Sequence, residues 1–334
     1  MNQNVTFFII VFSSLLFIYI YFYNKKTSDS IVSKKDEENK LYKKEKTLHI
    51  AHVHIKNDLN GFKFINKEKF PFDCIIHNYQ MANYDELPKF LETIYSWKIR
   101  HFVGFNDSEM IKVSLDFFKN HPDVILISSG NNFQFPNLPN NIWNLALPIS
   151  SYIHSIKKYY HNKGDSYSAK FTNWIFLYQK DNFWAKSFLK EINNISKISS
   201  KEFDPYDPDW TDLDKFINLN ISNNLLILEK HKEYLSTIID RYNHLNIHFI
   251  DESKEKLTYQ KRGRSVFCIK QQIDKNDDPF ILNLHDSIII LYKSFENNVK
   301  VSDVELNGLS GKIQFDKETH FRKNPKVKIY EINT

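Results

Sequence analysis

The chain has 334 residues and a net charge of +5 with no basic block, so nothing in it points to nucleic acid. An apolar share of 42% is enough for a packed core and excludes wholesale disorder. Seven glycines and no G-x-G-x-x-G or Walker run exclude the usual phosphate-cradling loops, and two cysteines, Cys74 and Cys268, exclude a disulfide framework: they allow one bridge and read better as two free buried thiols.

The first element is Thr6–Tyr23, an uncharged run of eighteen residues. At about 1.5 Å per residue it spans about 27 Å, close to the hydrocarbon core of a bilayer. A cleaved signal peptide wants a basic start, a shorter apolar stretch and a small-residue site. Here MNQNV carries no basic side chain, and the run exits through Tyr21, Phe22 and Tyr23 into Asn24-Lys25-Lys26. Residues 1–23 therefore read as an uncleaved transmembrane anchor, its tyrosines suited to the interface. Residues 24–46 read as a Lys-rich solvated linker, and the positive-inside rule puts that flank on the cytosolic side.

From Leu48 onward, short apolar runs alternate with amphipathic helices. Strands are expected at Leu48–His54, Phe72–His77, His101–Phe105 and Val124–Ser128. A second block follows at Trp174–Tyr178, Ile198–Phe203, Asn224–Leu228 and Ile247–Ile250. Such runs suit strands covered on both faces. Leu87, Phe90, Leu91 and Ile94 share one helical face, as do Ile111, Leu115 and Phe118. Trp184, Phe188, Leu189 and Ile192 make a third stripe, and Leu235, Ile238, Ile239 and Tyr242 a fourth. Asp107 or Ser108 marks one helix start, and Thr211 with Asp214 marks another. The stretch 130–171 reads as loop, then a helix Ile149–His161, then a polar turn Asn162–Ser168, with the break between blocks near Leu147–Pro148. Pro279–Asn297 reads as one long buried helix; Lys312–Asp316 and Lys326–Ile332 alternate as a β-ribbon would. The alternation of strand and helix implies an α/β fold with parallel sheets.

Several side chains carry chemistry. Ser108 stands where a strand hands over to a helix, where backbone N–H groups and the dipole favour an anion, or where a serine simply caps. Ser128, Ser129, Asn131 and Asn132 offer hydrogen bonds from the facing loop, or cap their own backbone. His52 and His54 share a strand face, a spacing that resembles the first ligand pair of amidohydrolase-type barrels, but no matching later Asp is evident. Asp204, Asp207, Asp209, Asp212 and Asp214 contain two D-x-D triplets, as in metal-dependent glycosyltransferases, and read better as helix-start acids. Lys261-Arg262-Gly263-Arg264 reads as an exposed basic turn. No G-x-S-x-G nucleophile motif is present, and nothing calls for a cofactor or a bound metal.

Four stretches then recur in a telling order. They are Phe102-Val103-Gly104-Phe105-Asn106-Asp107-Ser108; Val124 to Asn132; Trp174 to Tyr178 with Asn182-Phe183-Trp184 and, further on, Asp209-Trp210-Thr211; and Leu306 to Asp316 with Arg322. Across residues 48–334 this order resembles the type I periplasmic-binding family, which includes bacterial branched-chain amino-acid-binding proteins and the ligand-binding regions of many receptors. The last stretch resembles that family's G-x-x-G-x-x-x-F-D ending and is the most specific. The resemblance implies two Rossmann-like lobes with parallel sheets. It aligns Ser108 with the serine that holds a ligand carboxylate and Phe183 with a residue that often stacks on the ligand. Two departures touch the cleft. Only Lys56–Pro71 separate the first two strands, where the family has a loop and a long helix, and Trp184 replaces an expected glycine.

The expected organisation is therefore an anchor at 1–23, a linker at 24–46, a first α/β lobe at 47–147, a second at 148–250, and a returning segment at 251–334 that completes both. The expected function is that of a membrane-anchored, receptor-like or solute-binding-like protein, not an enzyme. It would close on a small polar, amino-acid-like ligand through hinges near Pro148, near Ile250–Tyr259 and before Gly308, and pass any signal through a protein partner. The alternatives are a protein-interaction module of the same fold without ligand, and a metal-dependent transferase or hydrolase. The Lys-rich flank favours the cytosolic side of the membrane; the resemblance favours the opposite side.

Overall fold

The computed structural model describes residues 47–55, 61, 63–65, 70, 72–131, 133–228, 232–250, 265–272, 278–323 and 326–332, without the side chains of 232–234. The expected anchor 1–23, the linker 24–46, the basic turn 261–264 and Asn132 lie outside the described residues. Among the described residues no helix is long and apolar enough to cross a membrane.

The first block runs β1 (Leu48–Ile55), β2 (Cys74–Met81), α1 (Leu87–Ser96), β3 (His101–Gly104), α2 (Ser108–Asn120), β4 (Ile125–Ser128) and β5 (Ile142–Asn144). Its five strands form one sheet in the order β2-β1-β3-β4-β5, and the pairs β1–β3, β3–β4 and β4–β5 are parallel. The second block runs α3 (Ile149–Asn162), α4 (Ser166–Ala169), β6 (Trp174–Gln179), α5 (Phe183–Asn193), β7 (Ser199–Phe203), α6 (Trp210–Leu219), β8 (Asn224–Leu228), α7 (Lys232–Arg241), β9 (Asn246–Ile250) and β10 (Val266–Gln271). The tail adds α8 (Pro279–Asn297), β11 (Leu306–Gly308), β12 (Gly311–Ile313) and β13 (Val327–Glu331). The second sheet has the order β13-β10-β9-β8-β6-β7, with β13 antiparallel on its edge.

Period-two side-chain placement sorts each sheet into two buried faces. In the first sheet Ala51, Phe102, Leu126 and Ile142 pack with Leu91, Ile111 and Phe118 from α1 and α2. In the second, Trp174, Phe176 and Leu226 pack on Ile153, Ile156 and Phe188 from α3 and α5. On the opposite face Ile175, Leu225 and Ile247 pack on Leu213, Ile238 and Ile239 from α6 and α7. Each Leu, Ile or Phe among them contributes about 1.5–3 kcal/mol on burial.

The tail departs from the ribbon expected at Lys312–Asp316 and Lys326–Ile332. β12 pairs with β11, and β13 pairs with β10 in the second sheet. Alternation marks a half-buried face but does not say which strand lies beside it. The crossings between the two sheets differ from the expected positions for a related reason. β9 is followed by another strand of its own sheet, so the second crossing lies between Gln271 and Pro279, not at Ile250–Tyr259. The third lies between Arg322 and Val327, not before Gly308, because Phe321 still bridges Asn144 beside the first sheet. Thr211 is likewise not a cap: α6 begins at Trp210, capped by Asp209, whose carboxylate accepts from Asp212 N.

The tail is fixed by one buried carboxylate. Asp286, on α8, is 0% exposed. Its Oδ1 accepts from Leu309 N at 2.9 Å, and its Oδ2 accepts from Ser310 N at 2.8 Å and Ser310 Oγ at 2.6 Å. Arg322 donates to Ser310 Oγ at 3.1 Å and Ser310 O at 2.8 Å, placing a buried cation behind the same turn. Burial lowers the guanidinium pKa, and Asp286 opposes that shift. A Cβ on Gly308 would lie 2.3 Å from Asp286 Oδ2, so the turn needs glycine there.

Two predictions follow from these contacts. Asp286→Ala leaves the Leu309 and Ser310 donors without their acceptor and the buried Arg322 without a nearby counter-charge, and lowers stability by about 3–5 kcal/mol in urea unfolding. Gly308→Ala is destabilising alone but less than additive with Asp286→Ala, because the second change removes the colliding group. The second prediction concerns pH. Burial holds the pKa of His52 at about 3, His101 at about 4 and His248 at about 3, against an ordinary 6.5. Below pH 6.5 the unfolded chain takes protons that the folded chain refuses, so their contribution is complete above 6.5 and is lost as pH falls toward those values. Urea midpoints should therefore drop between pH 7 and pH 5. His101→Phe, which keeps the packing on Phe295, should flatten that slope.

Candidate ligand-binding site

The carboxyl ends of β3 and β4 meet the first two crossings, and the site is built there. β3 ends in a turn with two consecutive left-handed residues, Gly104 at φ +98 and Phe105 at φ +51. A Cβ on Gly104 would lie 2.5 Å from Val53 O and 2.9 Å from the His52 ring, so the close approach to β1 also requires glycine.

Ser108 is the first residue of α2 and is buried, but the cap is Asp107. Asp107 Oδ1 accepts from Met110 N at 2.9 Å, and Oδ2 accepts from Tyr84 Oη at 2.6 Å. Burial and then the Asp107 charge raise the Tyr84 pKa. The helix start where an anion was expected thus already holds a carboxylate.

The facing loop is wound onto itself. Ser128 Oγ donates to Phe105 O at 2.9 Å and accepts from Asn131 N at 3.1 Å. Ser129 Oγ donates to Gly104 O at 3.1 Å. Asn131 Nδ2 donates to Asn144 Oδ1 at 2.7 Å, and Asn131 Oδ1 accepts from Phe133 N at 3.2 Å. These groups pin the loop to β3 and β5. Phe183, at the start of α5, crosses to the first block: its ring lies 5.3 Å from Phe133 and 6.1 Å from Phe135, with Lys112 Nζ 5.0 Å from its centroid. Trp184 beside it packs on Phe188.

Behind this loop is a cavity of about 140 Å³, lined by Asn106, Ser129, Gly130, Gln271, Phe280 and Asn283 among others. Of the expected site residues that are described, Ser129 alone lines it. Asn106 and Asn283 each have a buried Oδ1 without a hydrogen-bond partner. The orientation of Asn283 follows from Nδ2, which donates to Ser129 O at 3.2 Å. Asn283 is one of several polar residues in its helix, beside His285, Asp286 and Ser287, and Gln271 gave no local signal; Asn106 lies two residues before Ser108. A Cβ on Gly130 would lie 2.1 Å from Asn106 O, so the two loops meet with no room for a side chain.

The other candidate clusters have local roles. His52 Nδ1 donates to Asn78 Oδ1 at 2.8 Å, His77 bonds His49 at 3.0 Å, and His101 packs on Phe295. In the acidic run Asp212 pairs with Lys201 at 2.5 Å and Asp214 with Arg241 at 2.5 Å. Among the described residues no group of three His, Cys, Asp or Glu side chains is placed to hold a metal. Cys74 is half-buried and Cys268 buried, and the two are not joined by a disulfide.

Gly130→Ala should force the two loops apart and destabilise the chain by about 1–3 kcal/mol, read from urea midpoints.

No protein-family model and no curated protein matches the sequence. Solved structures do match. A solute-binding protein of an ABC transporter from Rhodopseudomonas palustris BisB5, in complex with 3,4-dihydroxybenzoic acid, aligns at TM-score 0.66 and 10% identity, covering 86% of this chain and 93% of that one. A leucine-binding protein from Thermotoga maritima aligns at TM-score 0.64 and 9% identity, covering 86% and 95%. A branched-chain amino acid transporter substrate-binding protein from Streptococcus pneumoniae, in complex with isoleucine, aligns at TM-score 0.60 and 12% identity, covering 86% and 100%. With its two parallel sheets and their crossings, the chain has the fold of the type I periplasmic binding proteins.

Proposed function

We propose that the chain is a binding protein whose two lobes close on a small polar molecule in the cavity between β3, β4, Gln271 and α8. One observation carries this reading: a cavity of about 140 Å³ at the carboxyl ends of β3 and β4, lined by the polar residues Asn106, Ser129, Gln271 and Asn283 together with Phe280. Open α/β sheets take ligands outside the carboxyl ends of their strands. The structural neighbours, solved with a dihydroxybenzoic acid or isoleucine, support binding over catalysis by fold-level analogy. Residues 1–23 would hold the domain at a membrane through the 24–46 tether, with output passing to a protein partner. The Lys-rich flank argues for the cytosolic side and the fold's solute-binding analogues for the other.

A second reading, an interaction module without a small ligand, is favoured by the Phe133–Phe183–Phe135 cluster. Those rings fill the junction where a ligand-stacking residue was expected.

Thermal unfolding of the full-length chain in mild detergent, against amino acids, sugars, amides, nucleotides and divalent metals, tests both. A ligand at 100 times its Kd adds about 2.7 kcal/mol and raises the melting point. Ala146→Leu, which fills the cavity, should erase that shift while unfolding stays cooperative. A cooperative transition that no compound moves favours the interaction module. A shift from metals or nucleotide-sugars alone points to the enzyme alternative.

A further inference from the structure

We infer that the end of the first sheet opposite the cavity rests on a lipid surface through Trp97, Phe295 and Val299. The inference rests on the membrane anchoring proposed above and adds a second contact, made by the folded domain itself.

The three side chains meet at the amino end of β3. Trp97 follows α1 directly, and β3 opens four residues later at His101. Neighbouring strand residues point to opposite faces of a sheet. Phe102 packs on the face covered by α1 and α2, while His101 turns to α8, its ring 6.1 Å from Phe295. Val299 follows two residues after α8 ends at Asn297. The last turns of α1 and α8 therefore flank one strand end from its two faces.

These are large apolar side chains left in solvent. Trp97 is 54% exposed, Phe295 38% and Val299 41%. The turns that present them are hydrogen-bonded. Trp97 N donates to Ile94 O at 3.1 Å and Lys98 N to Tyr95 O at 2.9 Å; Val299 N donates to Ser294 O at 3.0 Å, and Ser294 Oγ returns a bond to Val299 O at 2.6 Å. An apolar patch held out in this way marks an interaction surface.

Its composition suits a headgroup layer, where tryptophan is favoured. Lys98 and Lys300 directly follow Trp97 and Val299, and both are exposed. Each can lay its stem along apolar surface and raise its ammonium to a phosphate. Among the acids of this end, Asp123 pairs with Arg100 at 2.8 Å and Glu296 accepts from Tyr292 Oη at 3.0 Å.

The route of the chain identifies lipid as the occupant. The apolar run closes at Tyr23, and β1 opens at Leu48. β1 is parallel to β3, with Ile50 beside His101, so the chain enters the domain at the end that carries the patch. A second contact made by a tethered domain is intramolecular and needs little affinity of its own. The cavity lies at the opposite, carboxyl end of β3, so this docking turns it away from the lipid.

Brominated lipid tests this. The full-length chain is reconstituted in phosphatidylcholine vesicles, and its tryptophan emission is compared with that in vesicles whose acyl chains carry bromine. Trp97 is the first of the five tryptophans, so residues 1–23 contribute none of the signal. Bromolipid should dim the emission by up to about a fifth, the share of one tryptophan in five. The dimming should vanish in Trp97→Phe and shrink in Val299→Asp. Ile221→Asp, at an exposed apolar position just before β8 of the second sheet, should leave it unchanged. Equal dimming in the parent chain and Trp97→Phe, or none in either, overturns the inference. A chain that shows no dimming but loses mass in detergent on Val299→Asp uses the patch to join a second copy, which overturns it too. An alkaline wash separates this inference from the anchor. A chain that stays on the vesicles with Trp97 undimmed keeps the anchor and loses the inference. One that washes off after being dimmed at neutral pH loses the anchor and keeps the lipid contact. One that washes off and was never dimmed loses both.

Discussion

The rest of the structure depends on the buried carboxylate of Asp286. It accepts from the amides of Leu309 and Ser310 and from the Ser310 hydroxyl, and Arg322 closes the same turn from behind. A buried acid of this kind is stable only with several donors and a compensating cation nearby, and both are present. The node reaches the site by two routes. One runs along α8, whose Pro279, Phe280 and Asn283 form one wall of the cavity. The other runs through Arg322, whose backbone N–H donates to Asn144 O at 3.1 Å, and from Asn144 Oδ1 to Asn131 Nδ2 in the loop behind the opposite wall. One polar chain therefore fixes both walls relative to each other.

This explains why the tail motif carried more information than any other stretch of sequence. Gly308, Ser310 and Arg322 each answer a demand of the same turn: no Cβ against Asp286, a hydroxyl between acid and guanidinium, and a buried cation. Such demands survive in sequence as residue identities at fixed offsets. The long helix Pro279–Asn297 was legible end to end because Asp278 and Pro279 open it and an apolar run fills it. β5, three residues long, has no periodicity to read, and β10 follows a polar stretch that hides its start. The partners of β12 and β13 were illegible because alternation encodes a face and not a neighbour.

The site was less legible than the fold, for a physical reason. Ser128, Ser129 and Asn131 look like ligand donors in sequence, but short polar side chains beside a turn satisfy the backbone first. Here they tie the loop to Phe105, Gly104 and Asn144. The cavity is lined instead by residues such as Asn106 and Asn283, 177 positions apart in the sequence and brought together by the crossing before α8. Ser108 stands where the resemblance implied it would, at the first turn of α2. Its predecessor Asp107 caps that turn with a carboxylate, which accepts from Met110 N and Tyr84 Oη.

The most direct measurement is native-state hydrogen exchange at the amides of Leu309 and Ser310. Neither amide belongs to a helix or a strand ladder; both donate to the Asp286 carboxylate in the turn between β11 and β12. If that carboxylate holds the structure as described, these two amides exchange only through global unfolding, with protection equal to that of the central strands β3 and β8. Exchange at the rate of an ordinary surface turn, while β3 and β8 remain protected, would contradict it.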